Sequence, residues 1–194
     1  VSRSKTLPWL NESIIPSLSW SHIEDSFDEF RKHKLNPFKL STNNPKLLVN
    51  DFDQDGKDDL LIMNSAGFSN ILFWQDNDGE FSQMMLPKPS FHEPRDGVAV
   101  DLNQDGLLDI VTVAGGNHSD RNLDYAPCVY MQDSSRRFVR CDTCHNSWLN
   151  RPMESMELVD IDGHPPLEIA LGASHDFNVY GQAQESAIVQ WKNG

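Results

Sequence analysis

Apolar positions along the chain fall in short runs rather than at helical spacing. "KLLVN" at 46–50, "DLLIMN" at 59–64, "NILFWQ" at 70–75 and "FSQMML" at 81–86 are separated by segments rich in Asp, Asn, Gly and Ser. Runs of that length between turn residues predict β-strands, and "DNDGE" between the last two predicts a hairpin turn. The same order returns downstream, where "CVYMQ", "DSSRR" and "FVRCD" repeat the second hairpin at matching length. A third copy ends with "AIVQWKNG" at 187–194, which matches the third strand of such a unit and stops in the turn after it, so that its last strand is absent. The pattern predicts an all-β chain built from repeats of a four-stranded antiparallel unit, over 46–90, 95–150 and 154–194, the last incomplete. Units of this size are propeller blades, so a partial β-propeller is expected.

Residues 1–45 read differently. "SHIEDSFDEF" combines a capping box, Ser21 with Glu24, and apolar Ile23, Phe27 and Phe30 at helical spacing ahead of Pro37. That predicts a short N-terminal helix whose apolar stripe either caps the first blade or meets a partner.

The polar segments between the first and second strands carry the candidate chemistry. "DFDQDGKDD" at 51–59 crowds negative charge into one turn, which calls for a compensating cation. Asp51, Asp53 and Asp55 occupy positions 1, 3 and 5, Gly56 allows a sharp turn at position 6, the Lys57 carbonyl falls at position 7 and Asp59 closes at position 9. An oxygen-only set of this kind suits Ca²⁺, whereas an EF-hand would need flanking helices and a Glu at position 12, where Ile62 stands. "DLNQDGLLD" at 101–109 repeats the set with Asp101, Asn103, Asp105, the Leu107 carbonyl and Asp109. "DIDGHPPLE" at 160–168 keeps Asp160 and Asp162 but places His164 and Glu168 at positions 5 and 9. Two calcium sites and a weak or absent third are expected.

With these loops followed by apolar strands, residues 46–194 resemble the FG-GAP (VCBS-type) calcium-binding repeats of integrin α-subunit heads, cartilage acidic protein-like proteins and several propeller lectins. The resemblance implies Ca²⁺ at Asp51, Asp53, Asp55, Asp59, Asp101, Asn103, Asp105 and Asp109, and an adhesion or ligand-recognition role in an exported protein. Three blades do not close a ring. A fragment of a longer propeller is expected, or completion by another chain or by the N-terminal segment.

A formal charge of −13 over 194 residues excludes a phosphate-neutralising surface, so no nucleic acid is expected as partner. No apolar run is long enough for a membrane-spanning helix. Val1 at the start, with no signal-like apolar region, is expected of a processed or engineered terminus.

"CDTCH" at 141–145 admits several chemistries. A c-type haem would use Cys141, Cys144 and His145, with His118, His175 or Met153 as a second axial ligand, and would make this an electron-transfer protein. Against it, the chain between Phe138 and Asp160 has no added room for a haem-binding domain. A cross-strand disulfide between Cys128 and Cys141 is the favoured alternative, with zinc or free thiols as others. A disulfide together with calcium loops fits a secreted, cell-surface or otherwise exported location, and so do the sequons at Asn11 and Asn117.

Strand order places the acidic loops on one rim with "DNDGE" and "DSSRR". The opposite rim receives the long turns holding His118, Tyr125, His175 and Tyr180, which form a candidate surface for a protein or glycan ligand. These side chains could equally pack the loops against each other. No nucleophile elbow, H-E-x-x-H or phosphate-cradling loop is present, so no enzyme is expected; a structural subunit of a larger assembly is the remaining reading.

Overall fold

The structure, a computed structural model, describes residues 15–24, 28, 30, 34, 45–88, 93–116, 125–142, 144, 149–173, 176 and 182–191. Among the described residues, eleven strands form three antiparallel sheets. The first contains β1 (Lys46–Asn50), β2 (Asp59–Met63), β3 (Ile71–Gln75) and β4 (Phe81–Met85), in sequence order. The second contains β5 (Pro94–Val100), β6 (Asp109–Ala114), β7 (Cys128–Gln132) and β8 (Phe138–Arg140), again in order. The third has β9 (Met153–Val159), β10 (Glu168–Ala173) and β11 (Ala187–Val189). Sheets of 4, 4 and 3 strands are the partial propeller the sequence predicts. The first strand of each sheet lies beside the first strand of the next, β1 by β5 and β5 by β9, so the sheets fan out as adjacent blades.

Strand alternation explains how the blades stack. Within the first sheet, Leu48, Leu61, Leu72 and Met84 stand opposite one another across the register and share one face. That face packs on Ala99, Ile110 and Tyr130, the face of the second blade turned toward it. The second blade's other face, Val98, Val111 and Val129, packs on Met156, Ile169 and Leu171 of the third. Each fully buried side chain of this kind contributes about 1.5–3 kcal/mol, which makes the two inter-blade cores the main source of cohesion. The first blade's outward face is also apolar, and Leu47, Val49 and Met85 on it are exposed.

The expected N-terminal helix lies only partly within the described residues, where Phe30 has 3-10 geometry. Among the described residues, Ser21–Glu24 contain no helix, and Ile23 is 53% exposed. One backbone and one side-chain group of this region turn to the first blade: the Ile23 carbonyl accepts a bond from Ser65 Oγ at 2.7 Å, and Ser17 Oγ accepts one from the Phe81 amide at 2.9 Å. Long-range bonds of that kind compete with helix formation over Ser21–Glu24, because helix nucleation is costly. Glu24 contacts His22 rather than closing a capping box. Phe27 lies outside the described residues.

The cysteine pairing is corrected: Cys141 is joined to Cys144, with Cα atoms 5.4 Å apart, rather than to Cys128. The ladder gives the reason. The Cys141 amide donates to the Val129 carbonyl at 2.8 Å, one residue beyond the Tyr130–Arg140 pair, so Cys141 stands level with Val129 and not with Cys128. A one-residue offset reverses the face. Cys128 packs toward the first blade, while Cys141 and Cys144 pack toward the third.

Candidate metal centre

The first two acidic loops are superimposable in their hydrogen bonds. At position 1, Asp51 accepts from the amides of Asp55 and Gly56 at 3.0 and 2.9 Å. Asp101 does the same for Asp105 and Gly106 at 3.1 and 2.9 Å. At position 3, Asp53 Oδ1 and Asn103 Oδ1 accept from the same Asp55 and Asp105 amides. At position 5, Asp55 and Asp105 accept from the amides of Lys57 and Leu107, the residues whose carbonyls complete the expected set. These bonds need left-handed backbone at two places, position 4 (Gln54, φ 59°; Gln104, φ 61°) and position 6 (Gly56, φ 86°; Gly106, φ 88°). Glycine supplies the second at little cost, and no neighbour lies within 4 Å of where a Cβ on Gly56 or Gly106 would stand.

Position 9 forms the floor. Asp59 is fully buried, and its two oxygens accept from the amides of Phe52 at 3.0 Å and Gln75 at 2.8 Å. Asp109 repeats this with Leu102 at 3.1 Å and Gln132 at 2.9 Å. The carboxylate thus ties the loop to the third strand of its own blade. Burial pushes the Asp59 carboxyl up to about 6, against the two amide bonds, which favour its charged form. Burial also raises Asp109 and Asp53, and on Asp53 the Arg136 guanidinium acts the other way. Position 2 is the anchor: Phe52 and Leu102 are fully buried, each in the core shared with the following blade. Phe52 meets Phe138 of the second blade edge-on, with centroids 6.2 Å apart.

The loops are also tied to each other. Gln54 donates its side-chain amide to the Gly106 carbonyl, and Gln104 donates to the Pro165 carbonyl at 3.0 Å. Position 4 of each loop therefore reaches position 6 of the next. In return, Gln132 of the second blade donates to the Phe52 carbonyl at 3.2 Å, and Arg136 meets Asp53 at 2.5 Å.

The third loop assembles differently. Asp160 and Asp162 accept from the amides of Gly163 and His164 at 2.7 and 2.9 Å, so the first ligand bonds the third residue on rather than the fourth and fifth. Glu168 accepts from the Ile161 amide at 2.9 Å, and its other oxygen accepts from the Gln190 side chain at 3.0 Å. Left-handed backbone occurs at position 4, Gly163, but position 6 is Pro165, whose ring fixes a negative φ.

The donor chemistry fits a hard divalent cation. Carboxylate oxygens of Asp51, Asp53 and Asp55 lie within 4.8 Å of one another, as do those of Asp160, Asp162 and Glu168. The third loop, read as degraded, thus still gathers three carboxylates by drawing in Glu168.

On the opposite rim, Tyr125 is tied into the base of its loop. Its amide donates to Asn150 Oδ1 at 2.8 Å, its hydroxyl donates to the Gly116 carbonyl at 3.4 Å, and burial raises the phenol to about 12. Those contacts belong to loop packing, while His118, His145, His175 and Tyr180 lie outside the described residues. Met153, the haem-ligand candidate, is fully buried in the core between the second and third blades. A disulfide at Cys141–Cys144 uses the two sulfurs that thioethers to a haem would need.

Gln54, Gln104, Gln132 and Arg136 were not singled out by sequence reasoning. The two loop glutamines had a readable signal, the same residue at the same position of both loops. Arg136 had none, because its partner lies in another blade.

Residues 51–112, from the first loop through most of β6, match the family described as FG-GAP-like repeat. No curated protein matches the chain.

Proposed function

We propose that this chain is a calcium-stabilised segment of a β-propeller in an exported protein, and that it serves recognition or assembly rather than catalysis. The observation that carries this is the identical hydrogen-bond frame of the first two acidic loops, which aims oxygens of Asp51, Asp53 and Asp55, and of Asp101, Asn103 and Asp105, into one turn. The residues that would hold the ion are these six, with Asp59 and Asp109 beneath them and the carbonyls of Lys57 and Leu107 beside them. Each oxygen of Asp59 and Asp109 accepts one amide and keeps a further lone pair. A bound ion would neutralise the clustered carboxylates and add its binding free energy to folding.

The match to an FG-GAP-like repeat and the disulfide support an oxidising, extracellular setting. The exposed Leu47, Val49 and Met85 on the outward face of the first blade support assembly with further sheet structure, of this polypeptide or another. A protein or glycan ligand would meet the rim opposite the acidic loops. Calcium titration of chelator-treated protein, followed by calorimetry and thermal unfolding, tests the reading. Two binding events and a raised Tm are expected; a Tm unmoved by millimolar calcium would refute it.

A further inference from the structure

Arg136 occupies an unusual place. It sits in the turn between β7 and β8 at φ 61°, where the corresponding turn of the first blade has Gly79 at φ 80°. Left-handed backbone disfavours arginine and costs glycine nothing. The turn holds it there firmly: the Arg136 amide donates to the Asp133 carbonyl at 2.9 Å, and the Asp133 side chain accepts from the amides of Ser135 and Arg137 at 2.8 and 3.1 Å. From that fixed base the guanidinium crosses to the neighbouring blade and meets Asp53 Oδ2 at 2.5 Å. The Asp53 side chain is 2% exposed and that of Arg136 61%, so the arginine covers the carboxylate from the solvent side.

The atom it covers is the one the loop leaves over. Asp53 Oδ1 accepts from the Asp55 amide, while Oδ2 faces the guanidinium, which stands where a cation would otherwise approach that oxygen. In the second loop the same place is taken by the neutral Asn103, whose side-chain nitrogen donates to Asp105 Oδ2 at 2.9 Å. At positions 1, 3, 5 and 9 the first loop therefore carries one more carboxylate than the second, and an arginine from the next blade offsets it.

We propose that Arg136 is an intramolecular competitor for the first loop: a tethered cation that holds Asp53 in the metal-free protein and must leave Oδ2 when a divalent ion enters. The inference rests on the reading of the loops as calcium sites and adds a difference between them. The first loop binds calcium more weakly than the four aspartates at positions 1, 3, 5 and 9 alone would, and its filling releases a contact between the first and second blades.

The test is calcium calorimetry on the full chain with one loop silenced at a time. In an Asp101→Asn background, which leaves the first loop to be read, Arg136→Gly is expected to tighten binding by roughly three- to tenfold. Arg136→Lys, which keeps the charge, is expected to stay near the parent. In an Asp51→Asn background, which leaves the second loop, Arg136→Gly is expected to change nothing. Glycine suits the left-handed position, so folding is retained, and the comparison can be repeated without the silencing changes by resolving the two binding events of the parent chain. Unchanged or weakened first-loop affinity in Arg136→Gly would overturn the proposal while leaving the calcium reading intact. Absence of calcium binding to every variant, the parent included, would instead remove the calcium reading and this inference with it.

Discussion

The first two acidic loops and the third share a sequence pattern and differ in what lies beyond them. Phe52 and Leu102, at position 2, are buried in the core with the following blade, whereas Ile161 at the same position is 57% exposed. Asp59 and Asp109 span from the loop to a backbone amide of the third strand, whereas Glu168, one methylene longer, meets a glutamine side chain instead. A propeller loop of this type is therefore a joint property of two blades. Its carboxylates come from its own turn, and its rigidity comes from the neighbour that covers its anchor.

The largest effect that would sharpen this contrast concerns position 9. Asp59→Ala or Asp109→Ala leaves two buried amides without acceptors, at about 1–3 kcal/mol each. A net loss of about 3 kcal/mol in denaturant unfolding is expected for either, against about 1 kcal/mol for Glu168→Ala, whose partners are nearer solvent. Equal losses at all three positions would break the comparison.

Next comes pH in calcium-free buffer. Because burial raises the folded-state Asp59 carboxyl to about 6 from an ordinary value of 3.8, the native state holds its proton more tightly than the unfolded chain. That contribution is present below the ordinary value and is lost as pH rises through about 6, up to about 3 kcal/mol at 1.36 kcal/mol per unit. Asp109 shifts in the same direction. The calcium-free protein should thus lose stability between about pH 4 and pH 6 in urea titrations. Calcium at 100 times its Kd should restore about 2.7 kcal/mol per filled loop at neutral pH, an effect lost in Asp51→Asn/Asp101→Asn and largely kept in Asp160→Asn.

Legibility follows the same division. Strand positions within a blade could be read from the chain, because alternation of apolar runs and turn residues is local: the strands of the first sheet fall where the pattern puts them. What crosses between elements could not. The helix over Ser21–Phe30 was read from spacing that ignores the Ser65 hydroxyl and the Phe81 amide, and the Cys128–Cys141 bridge failed on a single residue of register. Arg136 on Asp53 needs two blades side by side before it exists at all.

A smaller effect concerns the glutamines that link loop to loop. Gln54→Ala and Gln104→Ala each remove one exposed hydrogen bond to the next loop, worth about 0.5–1 kcal/mol. If the loops are coupled through these contacts, the two calcium-binding events of the parent chain should become independent in Gln54→Ala, read as loss of any dependence of the second event on the first. Gln104→Ala, which reaches toward the third loop, should leave that coupling unchanged.

The smallest expected effect is also the sharpest test of what separates the third loop. His164→Asp with Pro165→Gly gives it the position-5 carboxylate and the left-handed glycine that the other two possess, while the Gln104 contact, made to a backbone carbonyl, survives the change. If side chains and turn geometry alone made a site, the variant should bind a further calcium as tightly as the first two loops. The exposed Ile161 argues otherwise, since nothing among the described residues clamps the turn as Phe52 and Leu102 are clamped. A weak site is expected, with Kd near 10⁻³ M as in extracellular modules, adding only about 0.4 kcal/mol at calcium equal to that Kd. Affinity matching the second loop in calorimetry would show that the following blade is dispensable, and would make the loop, rather than the pair of blades, the unit that binds.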